Sequence, residues 1–187
     1  MLYRVAIATG FRVSELAGLV PEFFDLDAPP PAVVLPPELS KNKKGAVQPL
    51  PAGLVSELRA YLFGRPGKKP VWSGGWAKKD TDMIREDLSE AGISVEVDGP
   101  KGTETRDFHA LRAMFISNVI RAGADLKQAM TLARHSDPRL TVGRYARTRL
   151  HDLGAVVDKL PGGTNPTSKQ AVHQKTETTS SDAIAEQ

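Results

Sequence analysis

The stretch FHALRAMFISNVIRAGAD, residues 108–125, predicts the helix on which the fold is built. Its apolar residues recur at intervals of three and four, which places them along one face of an α-helix. We expect this helix to end near Gly123 and Asp125 to cap a second helix over residues 126–133, because glycine and aspartate favour those positions. The stripe that faces the core consists of Phe108, Leu111, Phe115 and Val119.

Two shorter helices are predicted at the start of the chain. The first is stopped by Gly10, and the second begins near Arg12 and carries Leu16 and Leu19 on one side. Neither segment finds an apolar partner upstream. We therefore expect the chain to be an N-terminally truncated piece of a longer protein.

A β-hairpin is predicted between these two pairs of helices. Two short apolar runs, residues 32–35 and 46–50, flank the sequence KNKKG at residues 41–45. Asparagine and glycine with charged neighbours between two extended runs are typical of a hairpin turn. Pro49 cannot donate a hydrogen bond to a neighbouring strand, so the second run is expected at the edge of the sheet.

Three further helices are predicted from apolar spacing and capping residues. One starts at Pro51, one is capped by Asp80 and closed by Gly92, and one enters through residues 136–138. Residues 64–79 are expected to form a loop. The apolar positions on the inner faces of the first two helices are Leu54, Leu58, Tyr61, Leu62, Ile84, Leu88 and Ala91.

These segments together predict a mainly α-helical fold with a small antiparallel β-sheet, an α+β domain over residues 1–160. After Leu160 the chain is rich in Pro, Gly, Thr and Ser and has no apolar periodicity. Residues 161–187 are therefore predicted to be a disordered tail.

Composition and charge limit the possible functions. The chain has no cysteine, which excludes disulfides and thiolate metal sites and is compatible with the cytoplasm. The apolar start is too short to span a bilayer, so we expect no membrane association. The net charge is only +3, yet residues 101–150 hold ten Lys or Arg against four Asp or Glu. This stretch indicates either a solvated charged face or a surface that binds a polyanion.

Several short motifs rich in arginine and histidine occur in a definite order. They are TGFRVSEL (residues 9–16), HALR (109–112) and ARHS (133–136), followed by a tyrosine and preceded by the hairpin lysines. Over residues 1–150 this order resembles the tyrosine recombinases of the phage integrase family. The resemblance implies the mostly helical catalytic fold of that family and a double-stranded DNA substrate. The matching residues are Arg12, Lys41, His109, Arg112, His135 and Tyr145.

The resemblance also implies roles for these residues, and elementary chemistry explains them. Tyr145 is the expected nucleophile, which forms a 3′-phosphotyrosyl link to DNA. Arg12 and Arg112 are expected to hold the nonbridging phosphate oxygens, because guanidinium groups donate paired, charge-assisted hydrogen bonds. His109 lies three residues before Arg112, on the same helix face, so that both side chains are expected to reach one phosphate.

The resemblance also assigns roles in proton transfer and hydrogen bonding to the two histidines and the hairpin lysine. Histidine side chains in general can exchange a proton near neutral pH, so the resemblance makes His109 the expected acceptor of the tyrosine proton, while His135 donates a hydrogen bond to the phosphate. The resemblance gives the hairpin lysine the task of protonating the leaving 5′-oxygen. Lys41 fits that register, with Lys43 or Lys44 as alternatives. We expect no metal and no other cofactor.

Some features depart from the family pattern. Arg134 replaces the glycine that often precedes the second histidine, and the stretch from His135 to Tyr145 is one residue longer than in many members. We also expect the upstream helical domain that clamps DNA in family members to be missing. Weak DNA binding follows, because fewer phosphate contacts remain.

Three functions stay open at this stage. The first is site-specific DNA recombination by a homotetramer assembled on DNA. The second is a non-catalytic DNA-binding remnant of an integrase, and the third is DNA relaxation of the type IB topoisomerase kind. Taken singly, each matching residue also has an ordinary explanation as a surface cation, a structural histidine or a core aromatic. A metal-dependent nuclease is disfavoured, because no carboxylates occur at ligand-like spacing.

Overall fold

Helices and short strands alternate along the chain. The computed structural model describes residues 1–41, 43–99 and 102–143. Its α-helices are α1 (Leu2–Thr9), α2 (Val13–Ala17), α3 (Ala52–Leu62), α4 (Asp80–Glu90), α5 (Phe108–Arg121) and α6 (Leu126–Ala133). Its strands are β1 (Phe24–Asp25), β2 (Ala32–Leu35), β3 (Ala46–Pro49), β4 (Glu96–Gly99) and β5 (Gly102–Thr105). Two 3-10 turns occupy Pro21–Phe23 and Trp76–Lys78.

The predicted hairpin is confirmed as β2 and β3. The two strands pair antiparallel, with Leu35 opposite Ala46 and Ala32 opposite Pro49. The sheet has the order β1-β2-β3, so β3 lies at an edge and Pro49 sits where its missing donor is tolerated, as predicted. The turn between β2 and β3 carries the exposed lysines of the KNKKG segment.

Three strands, β1, β4 and β5, were not expected from the sequence. β1 adds two residues to the sheet, with Phe24 opposite Val33, and is too short to show a pattern of its own. β4 and β5 form a separate two-stranded hairpin in which Glu96 pairs with Thr105. Every side chain of β5 is exposed. Strands without a buried face lack the apolar alternation from which strands are predicted.

The main core lies between α1, α2, the three-stranded sheet, α3 and α4. The predicted inner faces of α3 and α4 are confirmed for Leu54, Leu58 and Ile84, which are buried. The prediction for Ala91 is wrong, because α4 ends at Glu90 and Ala91 is exposed. The large side chains at the centre of the core are Val5, Leu16, Leu19, Val33, Leu35 and Leu58.

Helix ends follow the capping residues in most cases. Asp125 caps α6 by accepting a hydrogen bond from the backbone N–H of Gln128 at 2.7 Å, and Asp107 caps α5 in the same way. Two predicted ends shift by one residue: Pro51 precedes α3, and Asp80 is the first residue of α4. The shift leaves the first turn of α4 acidic, which suits the positive end of the helix dipole.

The predicted α5 stripe is confirmed, and it joins two parts of the core. Phe108 packs into the main core, whereas Phe115 belongs to a second cluster between α5 and α6. The other buried members of that cluster are Ile116, Ile120, Ala129 and Ala133. Helix α5 therefore holds α1 on one side and α6 on the other.

The turn after α1 requires glycine for two reasons. Gly10 has φ 62°, in the left-handed region that favours glycine, and ends α1 as predicted. A Cβ at this position would also collide with the ring of Phe115. The absence of a side chain therefore lets the turn between α1 and α2 lie directly against α5.

The predicted helix after residues 136–138 is described only at its start, where residues 139–143 are helical. Tyr145 and the predicted tail over residues 161–187 lie outside the described residues.

Candidate phosphate-binding site

The segment from Thr9 to Arg12 reverses the chain between α1 and α2. Thr9 is buried, and its hydroxyl donates to the carbonyl of Val5 at 2.7 Å. The same hydroxyl accepts a hydrogen bond from the N–H of Phe11 at 3.3 Å. This fixed turn makes Arg12 the residue that precedes α2, with an extended backbone.

Glu15, in the first turn of α2, binds both the backbone and the side chain of Arg12. Its Oε2 accepts the backbone N–H of Arg12 at 2.8 Å, and its Oε1 lies 3.1 Å from Nη1 of the guanidinium. The Glu15 side chain is completely buried, whereas 32% of the Arg12 side chain is exposed. The carboxylate therefore anchors Arg12 and leaves part of its guanidinium open.

Arg112, on α5, ties this turn to the end of α6. Its residue surface is 3% exposed, and its two Nη groups donate to the carbonyl oxygens of Gly10 and Ala133. Burial, together with the positive charges of Arg12 and Arg134, lowers the pKa of Arg112 to about 10. Arg112 is thus a cation at neutral pH. Because its buried surroundings already contain other positive charges, an anion would be stabilised beside it.

Arg134 follows the last turn of α6 and points back to the same place. Its Nη2 lies 2.7 Å from Oε2 of Glu15, and its guanidinium carbon lies 4.5 Å from the ring centre of Phe11. Burial is the main cause that lowers the pKa of Arg134. The backbone of Arg134 is left-handed, with φ 53°, a conformation that costs a non-glycine residue about 1–2 kcal/mol.

Four charged side chains from three distant segments therefore form one group, the arginine cluster: Arg12, Glu15, Arg112 and Arg134. Three guanidinium groups and one carboxylate leave an excess of two positive charges in a largely buried place. Buried charges of one sign are unfavourable unless a counter-ion or hydrogen-bond partner offsets them. The arrangement is suited to a tetrahedral oxyanion such as a phosphate group.

The structure brings two of the predicted site residues, Arg12 and Arg112, into this cluster. His135 lies next in sequence to Arg134, is partly buried, and has Nδ1 at 2.8 Å from Oγ1 of Thr141. Thr141 is itself fully buried. His135 is thus held at the edge of the cluster by the segment that leads toward residue 145.

The other predicted residues are placed differently. His109 is exposed in the first turn of α5, and within the described chain it makes no hydrogen bond to the cluster. His109 and Arg112 were expected to reach one phosphate from the same helix face, but Arg112 is buried and donates to the backbone carbonyls of Gly10 and Ala133. Lys41, Lys43 and Lys44 are all exposed in the β2–β3 turn, with Lys43 at φ 54°.

Glu15 and Arg134 were not assigned to the site from the sequence. Glu15 lies three residues after Arg12 at a predicted helix start, which is the spacing of a capping pair. Arg134 was noticed as a departure from the glycine of the family pattern. Its left-handed backbone explains why glycine suits that position.

No helix within residues 1–41, 43–99 and 102–143 is long and apolar enough to cross a membrane. In the same described ranges, no group of three His, Asp or Glu side chains could hold a metal ion.

The fold and the cluster together define a mainly helical domain that gathers three arginines around one buried carboxylate. The chain belongs to the phage integrase family, because the model of that family matches residues 1–151.

Named relatives are similar in sequence to this chain over part of their length. A probable site-specific recombinase in the afa region of Escherichia coli is 28% identical over 167 residues, which cover 84% of this chain and 65% of that protein. Tyrosine recombinase XerD of Caulobacter vibrioides is 27% identical over 140 residues, 70% of this chain and 43% of the relative. XerD of Rhizobium meliloti is 29% identical, with 81% and 49% covered. The chain therefore spans less than two thirds of these curated relatives.

Solved structures share the fold. XerA recombinase superposes with a TM-score of 0.62 at 20% identity, over 84% of this chain and 57% of that one. XerH bound to palindromic difH substrate, in a post-cleavage complex, gives 0.62 at 17% identity, over 84% and 44%. The Tn1549 transposon integrase in complex with transposon right end DNA gives 0.57 at 14% identity, over 83% and 57%. The predicted fold class, mainly α with small antiparallel sheets, is confirmed.

Proposed function

We propose that this chain is the catalytic part of a tyrosine-type site-specific DNA recombinase, which cuts and rejoins DNA strands. The convergence of Arg12 and Arg112, which are a hundred residues apart in sequence, is the observation that supports this proposal. Recombinases named as such are similar to the chain in sequence, and recombinases bound to DNA are similar to it in fold.

The arginine cluster would stabilise the transition state of phosphoryl transfer. Attack on a phosphodiester concentrates negative charge on the nonbridging oxygens. Fixed guanidinium donors act more strongly on that charge than on the ground state, so they lower the barrier. Among the described residues, each Nη group of Arg112 donates one hydrogen bond to a backbone carbonyl. The second hydrogen of each Nη group would donate to a phosphate oxygen. The exposed part of the Arg12 guanidinium would donate to the same phosphate.

The nucleophile in this proposal is Tyr145, which lies outside the described residues. Its hydroxyl oxygen forms a bond to phosphorus, the bond from phosphorus to the 5′-oxygen breaks, and a 3′-phosphotyrosyl link and a free 5′-hydroxyl result. The tyrosine proton passes to His109, and Lys41 or its neighbours Lys43 and Lys44 protonate the 5′-oxygen. His135 donates a hydrogen bond to the phosphate. Attack by the 5′-hydroxyl of another strand reverses the step, with no external energy source.

The proposed partners follow from this reaction. The substrate is double-stranded DNA, and exchange of strands between two duplexes calls for a homotetramer assembled on DNA. An enzyme of this kind acts in the cytoplasm, at the nucleoid. The basic stretch over residues 101–150 provides phosphate contacts that do not depend on sequence.

A covalent trapping experiment tests the proposal. The full chain is incubated, in the presence of EDTA, with fragmented and nicked genomic DNA from the organism that encodes it. A nick just beyond the cut site lets the short 5′-hydroxyl fragment diffuse away, so the adduct accumulates. Denaturing capture, sequencing and mass spectrometry then identify both the DNA site and the modified residue.

The expected result is an adduct at Tyr145 that Tyr145→Phe abolishes while DNA binding persists. Tyr61→Phe is the matched control, because Tyr61 lies on α3 beneath Arg65, outside the arginine cluster, and should not affect the adduct. DNA binding without any adduct would contradict the chemistry and indicate a non-catalytic remnant. Relaxation of plasmids without strand exchange would indicate topoisomerase activity instead.

A further inference from the structure

Arg134 is a buried cation whose hydrogen-bonding capacity is only partly used. Its side chain is 10% exposed, and its Nη2 pairs with Glu15. Its Nε and Nη1 have no hydrogen-bond partner among the described residues. A buried charged donor without an acceptor is unfavourable, so the contacts that Arg134 does make must compensate for it.

The backbone of Arg134 is also unfavourable for an arginine. At φ 53° and ψ 40° the Cβ of any residue other than glycine is crowded by the chain, and glycine would fit without strain. The contacts of the arginine side chain therefore have to offset this backbone strain. The contacts of that side chain are the ion pair with Glu15 and the stacking on Phe11.

The carboxylate of Glu15 connects Arg134 with Arg12. Oε2 is shared between Nη2 of Arg134 at 2.7 Å and the backbone N–H of Arg12 at 2.8 Å. Oε1 is then directed at the Arg12 guanidinium at 3.1 Å. Because Arg134 fixes one oxygen, the carboxylate cannot rotate without losing a charge-assisted hydrogen bond, and the direction of the other oxygen is fixed as well.

Charge adds to this geometric effect. Glu15 is fully buried and carries one negative charge. With Arg12 alone as its partner, that charge would neutralise the arginine. Sharing the carboxylate with Arg134 leaves Arg12 with a net attraction for a further anion.

We propose that Arg134 is a positioning residue of the phosphate site: through Glu15 it orients the Arg12 guanidinium and keeps it available for the anion. The inference rests on the proposed function, in which that anion is the phosphate of DNA. Arg134 does not itself have to contact the phosphate.

The first test follows the Arg12 side chain in phosphate-free solution by NMR of the full, isotope-labelled chain. The rate of guanidinium rotation about the Nε–Cζ bond reports how firmly Glu15 holds it. We expect faster rotation in Arg134→Gly, where the new residue suits the backbone, and a smaller change in Arg134→Lys, which keeps a charge for Glu15. Arg121→Gln, at the exposed end of α5, is the matched control and should leave the rate unchanged. An unchanged rate in Arg134→Gly overturns the inference.

The second test measures the affinity for inorganic phosphate in four proteins: the natural chain, Arg134→Gly, Arg12→Gln and the double variant. Arg134→Gly is expected to bind phosphate roughly tenfold more weakly, because the Arg12 guanidinium is then no longer held in place and its charge-assisted contact with the anion is weakened. If Arg134 acts through Arg12, its removal from the Arg12→Gln protein changes the affinity less than about twofold. Equal losses in both backgrounds overturn the positioning role.

The two tests separate the inference from the function on which it rests. A natural chain that binds no phosphate contradicts the proposed phosphate site, whereas the rotation rates still decide the role of Arg134. Thermal melting of each variant checks the fold. If Arg134→Gly does not fold, Arg134→Gln decides the inference, because it removes the charge that holds Glu15, and an Arg12 rotation rate equal to that of the natural chain in this variant overturns it.

Discussion

Glu15 and Arg134 form a buried ion pair, 2.7 Å from Oε2 to Nη2, across 119 residues of sequence. The pair joins the first turn of α2 to the residue that ends α6. Two charges withdrawn from water gain little net stability from each other, but the loss of one partner leaves the other buried without compensation. The intact pair therefore adds little to the free energy of unfolding, whereas the removal of either partner should lower that free energy strongly.

Glu15→Gln tests this asymmetry. The variant removes the one carboxylate of the arginine cluster and leaves three guanidinium groups facing each other. The free energy of unfolding is expected to fall by about 3–5 kcal/mol, the usual cost of breaking a buried pair. Urea denaturation at neutral pH measures it.

The matched control is Glu57→Gln, which breaks the surface pair between Arg4 and Glu57. Both side chains of that pair are well exposed, 56% and 40%. Exposed pairs typically contribute about 0–1 kcal/mol, so only a small change is expected. Equal effects of the two variants would show that Glu15 is not the buried counter-charge described above.

Arg112→Lys separates the structural role of Arg112 from its charge. The guanidinium spans the carbonyls of Gly10 and Ala133, whereas an ammonium group is a single point and cannot reach both. One buried carbonyl is left without a donor, at a cost of about 1–3 kcal/mol. Thermal and urea unfolding should both register the loss. An unfolding free energy within experimental error of the natural chain would refute the spanning role.

Arg12→Lys should have the opposite profile. Arg12 is the more exposed of the two arginines, so its replacement is expected to change the unfolding free energy by less than about 1 kcal/mol. The rate of covalent adduct formation should nevertheless fall about a hundredfold to a thousandfold, the usual effect of removing one transition-state donor. Single-turnover trapping on the DNA site that the covalent trapping experiment yields measures this rate. A rate near that of the natural chain would remove Arg12 from the proposed mechanism.

Much of the fold could be predicted from the sequence because its helices carry a buried face and a capping residue. α5 carries a regular apolar stripe, and α6 begins after the capping residue Asp125 and buries Ala129 and Ala133. β4 and β5 show neither, since their side chains are largely exposed and their pairing is carried by backbone hydrogen bonds. Such a hairpin leaves almost no trace in the order of residue types.

Residues of the candidate site could be predicted only where they belong to a recognisable sequence motif. Arg12 and Arg112 stand in recognisable short patterns, and the structure brings them together. The links between them depend on side chains whose meaning is spatial: Glu15 is an ordinary capping glutamate until Arg134 approaches it from α6. Local spacing carries no information about a contact between segments so far apart.

Asp125→Ala tests the support of α6, the helix that ends at Arg134. Asp125 accepts the N–H of Gln128 at 2.7 Å, and the Gln128 side chain accepts the N–H of Asp125 at 2.9 Å. Loss of such a cap typically costs about 0.5–2 kcal/mol. Lys127→Ala, exposed in the same turn, is the control and should change stability little. Urea denaturation measures the stability of both variants. Equal denaturation midpoints for Asp125→Ala and Lys127→Ala would contradict the capping role of Asp125.

Gly10→Ala tests the close approach that brings the turn before α2 against α5. The new Cβ meets the ring of Phe115 and must adopt φ 62°, so two penalties add. A left-handed alanine costs about 1–2 kcal/mol and overpacking about 1–3 kcal/mol, which predicts a loss of about 2–5 kcal/mol.

Gly53→Ala is the matched control for this substitution, with an expected effect of opposite sign. Gly53 lies in the first turn of α3, where an added Cβ meets nothing within 4 Å. Alanine there favours the helix, so stability should rise by up to about 1 kcal/mol. Because the chemical change is identical, the difference between the two variants isolates the contact between Gly10 and Phe115. If both variants gain stability, the turn does not pack against α5, and the geometry that places Arg12 beside Arg112 is wrong.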